Sequence, residues 1–82
     1  MIETVQREVQ VRAAIGRRLR DWRLRKQRSQ KQLAKDIGIT QASLSNYENG
    51  RRSPSLVTAM RLAIALGIPT TVLIEGLESL LA

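Results

Sequence analysis

Apolar residues recur along most of this chain at spacings of three and four, the period of a helix with one buried face. Ile15, Leu19 and Trp22 form one such stripe, which predicts a first helix over at least Ala13 to Lys26 with its arginines turned away. Ser29 followed by Gln32 is a capping-box pattern that opens a second helix running to about Ile37. Gly38 stops it, since a left-handed residue is cheap there only for glycine. Thr40 caps a third helix from Gln41 to about Asn49, with Leu44 and Tyr47 inward, and Asn49-Gly50 is a strong stop. In Ser53-Pro54-Ser55 the serine caps and the proline takes the first helical position, opening a fourth helix. That helix is expected to turn Leu56, Met60, Ala63 and Leu66 inward and to end at Gly67. Pro69 opens a short fifth helix through about Glu75, and Gly76 separates it from an apolar trio, Leu77, Leu80 and Leu81.

The expected organisation is an N-terminal extension over 1–12, a compact domain over 13–76 and an apolar tail over 77–82. The extension carries Val5, Val9 and Val11, a pattern compatible with a longer first helix, a strand or disorder. With 82 residues the chain has room for a single modest core. Apolar residues make up 43% of it, yet there is one Trp, one Tyr and no Phe, so the core is aliphatic and the fold class all-α. Trp22 and Tyr47 keep step with apolar stripes and are expected in the core, not as platforms for bases.

Composition also excludes chemistry. Without Cys or His the usual zinc sites, disulfides and His-based triads cannot be built, so neither an enzyme nor a cofactor is expected. No apolar run approaches the roughly 20 residues of a membrane span, and the start of the chain, with Glu3, Arg7 and Glu8, lacks a signal peptide's apolar stretch. A cytoplasmic, membrane-free protein without an evident small-molecule pocket is expected. The net charge of +7 is unevenly spread: residues 12–35 hold ten Arg or Lys against the single acid Asp21. Such asymmetry suits a polyanionic partner on one side of the fold. Arg17, Arg18, Arg20 and Arg25 are nevertheless read as residues that solubilise an exposed helix.

The most informative stretch is QKQLAKDIGITQASLSNYEN, from Gln30 to Asn49. Two short helices that cross steeply need a small residue where their backbones approach, supplied by Ala34, and a left-handed turn, supplied by Gly38. Leu33, Ile37, Ile39, Leu44 and Tyr47 provide the apolar wedges. This is the pattern of a helix-turn-helix.

From about Ile15 to Glu75 the sequence resembles the phage-repressor-like, Cro/Xre-type helix-turn-helix regulators. The likeness rests on Ser29-Gln30, Leu33-Ala34, Gly38-Ile39, Tyr47-Glu48-Asn49-Gly50, Ser53-Pro54 and Leu66-Gly67-Ile68. The resemblance implies a compact five-helix, lambda-repressor-like domain that binds double-stranded operator DNA as a dimer, its third helix in the major groove. The chain departs from the family between the first two helices, where Gln27 and Arg28 stand in place of the usual Gly and apolar residue. The family pattern also implies an ion pair between Arg23 and Glu48 that holds the third helix on the scaffold.

On that footing Gln41 and Asn46 are the best direct readers of bases, because a carboxamide offers adenine a donor and an acceptor together. Ser43 and Ser45 suit bases or phosphates, and Ala42 a thymine methyl. With no Lys or Arg on the third helix, a preference for A·T pairs is expected. Phosphate contacts fall to Gln30, at a helix start with free amides, and to Asn49, Arg51 and Arg52. Val57, Ile64, Leu77, Leu80 and Leu81 are expected to form an exposed apolar patch, the contact of a two-fold homodimer. The function expected is transcriptional regulation, most simply repression. The alternatives are an antitoxin that also binds a toxin, and an adaptor that uses the same fold to bind protein.

Overall fold

Five α-helices and a closing turn of 3-10 helix make up the computed structural model, which describes residues 2–82. They are α1 (Ile2–Arg25), α2 (Gln30–Ile37), α3 (Gln41–Glu48), α4 (Leu56–Leu66), α5 (Thr71–Ile74) and the C-terminal turn Leu77–Leu80, with no strand among the described residues. Each helix contributes one leucine to the centre: Leu19, Leu33, Leu44, Leu62 and Leu73 are fully buried. Ala34, Ile37, Ala63 and Leu66 complete the cluster, while Trp22 and Tyr47 lie partly buried against it, as core packing requires.

The segment read as an extension is helical and continuous with α1, apart from Met1, which lies outside the described residues. Glu3 in the first turn favours the positive end of the helix dipole and pairs with Arg7 at 3.0 Å, one turn on. Arg7 also donates to the Ala82 carbonyl at 2.9 Å, which ties the last residue of the chain to the early part of α1.

Two expectations about α4 are corrected. Its cap is Ser55, whose Oγ accepts from the Thr58 N–H at 3.0 Å, so Pro54 lies before the cap instead of at the first helical position. The buried stripe is Ala59, Leu62, Ala63 and Leu66, whereas Leu56 is 65% exposed and Met60 also faces outward. The cause is composition: LVTAMRLAIAL is apolar almost all round, and the side with the two alanines is the one that lets α4 approach α2 closely. The expected apolar patch also loses a member. Leu77 is only 8% exposed because the C-terminal turn folds back on α1, while Val57, Ile64, Leu80 and Leu81 do face outward.

Four helices stop with one hydrogen-bonding pattern. At the end of α2, Gly38 (φ +72) donates to the Lys35 carbonyl and Ile39 to that of Ala34. Gly50 and Gly67 repeat the pattern after α3 and α4. After α1 the same two bonds form, Gln27 to Leu24 at 3.0 Å and Arg28 to Arg23 at 3.1 Å, but here the left-handed residue is Gln27, at φ +56. The departure noted in the sequence therefore leaves the shape of the loop intact and places a side chain in a region that disfavours it by about 1–2 kcal/mol. Replacing Gln27→Gly removes that strain, partly offset by the greater freedom glycine gains on unfolding. We expect a gain of about 1 kcal/mol, read as a melting temperature about 4 to 8 °C higher; an unchanged or lower value would contradict this account of the turn.

Candidate nucleic-acid interface

The arrangement of α2 and α3 is set locally. Ser29 caps α2 by accepting from the Gln32 N–H at 3.0 Å, and Thr40 caps α3 by accepting from the Ser43 N–H at 3.0 Å. Between them Gly38, Ile39 and Thr40 make the turn, and Ala34, buried at the crossing, keeps the two backbones close. Arg61 of α4 reaches over to donate to the Ile37 carbonyl at 2.6 Å, placing a cation at the negative end of α2. A surface groove of about 550 Å³ runs beside this contact, lined by Asp36, Ile37, Arg61, Ile64 and Ala65, with no residue from α3.

The attachment of α3 to α1 is tighter. A Cβ on Gly16 would lie 2.4 Å from the Tyr47 carbonyl oxygen and 2.6 Å from that of Glu48, so only glycine lets α1 cross the carboxyl end of α3 here. Directly beside it Gly50 rests on Ala13, where a Cβ would lie 2.9 Å from the Ala13 Cα. Two turns along α1 from Gly16, Arg23 forks onto Glu48, with Nε donating to Oε2 at 2.7 Å and Nη2 to Oε1 at 2.9 Å. Its remaining Nη1 donates to the Arg28 carbonyl at 2.8 Å. Both residues are buried, Arg23 8% and Glu48 6% exposed. The hydrogen bond that Arg23 donates to Glu48 raises the pKa of its guanidinium against the opposing effect of burial, so Arg23 stays charged. This is the ion pair that the family pattern implies.

The residues singled out in the sequence divide into three groups. Gln41 and Ala42 are exposed, and Ser45 and Asn46 half-buried, along one side of α3. Asn49 continues that line, its Nδ2 donating to the Ser45 Oγ at 3.2 Å. Arg51 and Arg52, both exposed, are drawn back to α3 because their N–H groups bond to the Asn46 carbonyl at 2.9 and 3.4 Å. Ser43 stands apart: its Oγ accepts from the Thr40 hydroxyl at 2.9 Å, tying it to the cap. Gln30 is also engaged, since its Nε2 donates to Glu48 Oε1 at 3.1 Å and joins the ion pair. What remains free at that point are the two leading N–H groups of α2, at Gln30 and Lys31, ahead of the capped Gln32. Sequence reasoning passed over Gly16, although a glycine inside a helix, where it costs about 1 kcal/mol relative to alanine, is itself a sign of close packing.

Comparison with known proteins gives a consistent picture. A family model described as helix-turn-helix matches residues 19–73. An HTH-type transcriptional regulator derived from the SPbeta prophage of Bacillus subtilis is 38% identical over 61 residues, 74% of this chain and 56% of the relative. The transcriptional repressor RstR of the cryptic phage CTXphi in Vibrio cholerae is 32% identical over 76% of this chain and 56% of its own length. The chain thus spans little more than half of these relatives. Among solved structures, the restriction-modification controller protein C.AhdI from Aeromonas hydrophila superposes with a TM-score of 0.72 at 38% identity, covering 74% of this chain and 92% of that one. The hypothetical transcription factor NHTF from Neisseria gives a TM-score of 0.74 at 30% identity, over 78% of this chain and 74% of that one. Regulators of this kind are not enzymes. Among the described residues no single helix is long and apolar enough to cross a membrane.

The contact at Gly16 gives a direct test. Alanine is the better helix former, yet Gly16→Ala must push α3 away from α1, and we expect a loss of about 1–3 kcal/mol. Denaturant unfolding of the purified variant measures it, and a variant as stable as the parent would show that the two helices are not in this register.

Proposed function

The chain belongs to the Cro/Xre-type helix-turn-helix family of DNA-binding transcriptional regulators, and we propose that it is a repressor that occupies a palindromic operator as a two-fold dimer. The observation that carries this reading is the character of α3: its exposed side is uncharged and bears carboxamides and hydroxyls, while guanidinium groups stand on the turn that follows it. Such a division suits a helix inserted in the major groove with cations against the flanking phosphates.

In this reading Gln41 and Asn46 hold adenines by paired donor and acceptor, Ala42 packs on a thymine methyl, and Ser45 and Ser43 bond to base edges or nearby phosphates. Asn49, Arg51, Arg52 and the amide end of α2 at Gln30 grip the backbone. With no cation on α3, the site it reads is rich in A·T pairs. Selection from random duplex DNA at about 150 mM salt tests this, with an enriched inverted repeat as the expected result. Binding without enrichment, lost as salt rises, would contradict it. Gln41→Ala should cost about 1–3 kcal/mol on the selected operator and relax selectivity at one base pair, whereas Arg52→Ala should weaken operator and random DNA alike. Equal losses for both variants on both DNAs would remove the distinction between readers and anchors.

The dimer contact we propose is the outer side of α4. Leu56, Val57, Met60 and Ile64, the last 78% exposed, form a ridge along its outer side, and Leu80 and Leu81 add exposed apolar area from the C-terminal turn. Pairing of two such ridges about a two-fold axis would set the α3 helices roughly 34 Å apart, one turn of DNA. Sedimentation should show a dimer in the parent and a monomer in Ile64→Asp; a monomeric parent, or a variant that remains dimeric, would place the contact elsewhere or abolish it.

A further inference from the structure

The arginines of this chain fall into two sets. Six are engaged within the protein: Arg7 with Glu3, Arg18 with the Glu75 carbonyl at 2.8 Å, Arg23 with Glu48, Arg28 with Asp36, Arg61 with the Ile37 carbonyl, and Arg25 stacked 4.9 Å above the Trp22 ring. The guanidinium groups of Arg12, Arg17, Arg20, Arg51 and Arg52 make no hydrogen bond or ion pair among the described residues. Arg51 and Arg52 lie on the turn after α3. Arg12 lies on the side of α1 that faces Ser53 and Leu81. The position of the other two follows from how α1 meets α3.

Residues four apart in a helix share a face. Arg17 follows Ala13, on which Gly50 rests, and Arg20 follows Gly16, which touches the last carbonyls of α3. Both are exposed. They therefore continue, along the adjoining surface of α1, the line of cations begun by Arg51 and Arg52. Arg18 and Arg25, read from the sequence as equivalent to them, turn instead toward α5 and share a groove with Trp22, Val72, Glu75 and Asp21, the one acid among residues 12–35. Asp21 stands one turn on from Arg17 but forms no ion pair with it, and Glu48 on α3 is already covered by Arg23.

We infer that Arg17 and Arg20 are phosphate anchors: they extend the DNA-contacting surface from the turn after α3 onto α1 and hold the backbone flanking the bases that α3 reads. The inference rests on the proposed function and adds two residues to it. An unpaired guanidinium beside the carboxyl end of the recognition helix has its complement in the sugar-phosphate chain bordering the occupied groove. Such contacts carry no sequence information, but each releases a condensed counterion and makes binding steeper in salt.

The test compares Arg17→Gln/Arg20→Gln with Arg18→Gln/Arg25→Gln, two variants of equal net charge, the first altered beside α3 and the second in the groove toward α5. Binding to the selected operator and to random duplex DNA is measured between 50 and 200 mM salt, with a thermal melt to confirm that each protein is folded. For the first variant the slope of log K against log salt should fall by about 1.8 per bound subunit, so that the affinity ratio across this salt range shrinks about twelvefold, equally on both DNAs. The second should keep the parent slope. An unchanged slope in the first variant, or an equal fall in both, would overturn the proposal while the operator-binding reading stood; a parent protein that binds no DNA at 50 mM salt would overturn both.

Discussion

A buried pair of opposite charges holds this domain in one arrangement. Arg23 and Glu48 have both left water, and an ion pair in that situation is tolerable only when its remaining donors and acceptors are also satisfied. Here they are, by the Arg28 carbonyl and the Gln30 carboxamide. Four segments thereby converge on one carboxylate and one guanidinium: α1, the loop after it, the first turn of α2 and the last turn of α3. An eight-residue helix such as α3 has little stability of its own. Its orientation comes from that convergence and from the missing side chain at Gly16, which lets the pair close.

The same economy explains α4. Its inner side is built from two alanines and two leucines and meets α2 closely, while its outer side carries residues just as apolar. A small domain gains from a helix that is greasy on its core side, and nothing in the folding of one copy calls for Leu56, Val57 and Ile64 on the other. The C-terminal turn behaves differently, because it buries Leu77 on α1 while leaving Leu80 and Leu81 outside.

These features were unequally legible in the sequence. Caps and stops are local, so Ser29, Gly38, Thr40 and Gly67 could be placed from a few neighbours, and with them the helix-turn-helix itself. Choosing the buried face of α4 needed contrast between polar and apolar positions, and that helix has almost none. Gly16 could not be interpreted alone, because its partner lies some thirty residues away, at the end of α3. Gln30 shows a further limit: a carboxamide at a helix start serves an anion in solution or a carboxylate within the protein equally well, and only the fold brings Glu48 within reach. Gln27 shows the reverse case, an unfavourable residue held in the required conformation by the loop around it.

The exposed side of α3 also stands apart from everything that keeps the chain folded. Its caps are Thr40 and the turn at Asn49 and Gly50, its anchors are Leu44 and Glu48, and the unpaired cations sit on other elements. The side chains of Gln41, Ala42 and Asn46 contribute to none of these. Exchanging them leaves stability and electrostatic attraction almost untouched, so lineages descended from one such scaffold can diverge at these three positions by single steps, without passing through an unfolded or weakly held ancestor.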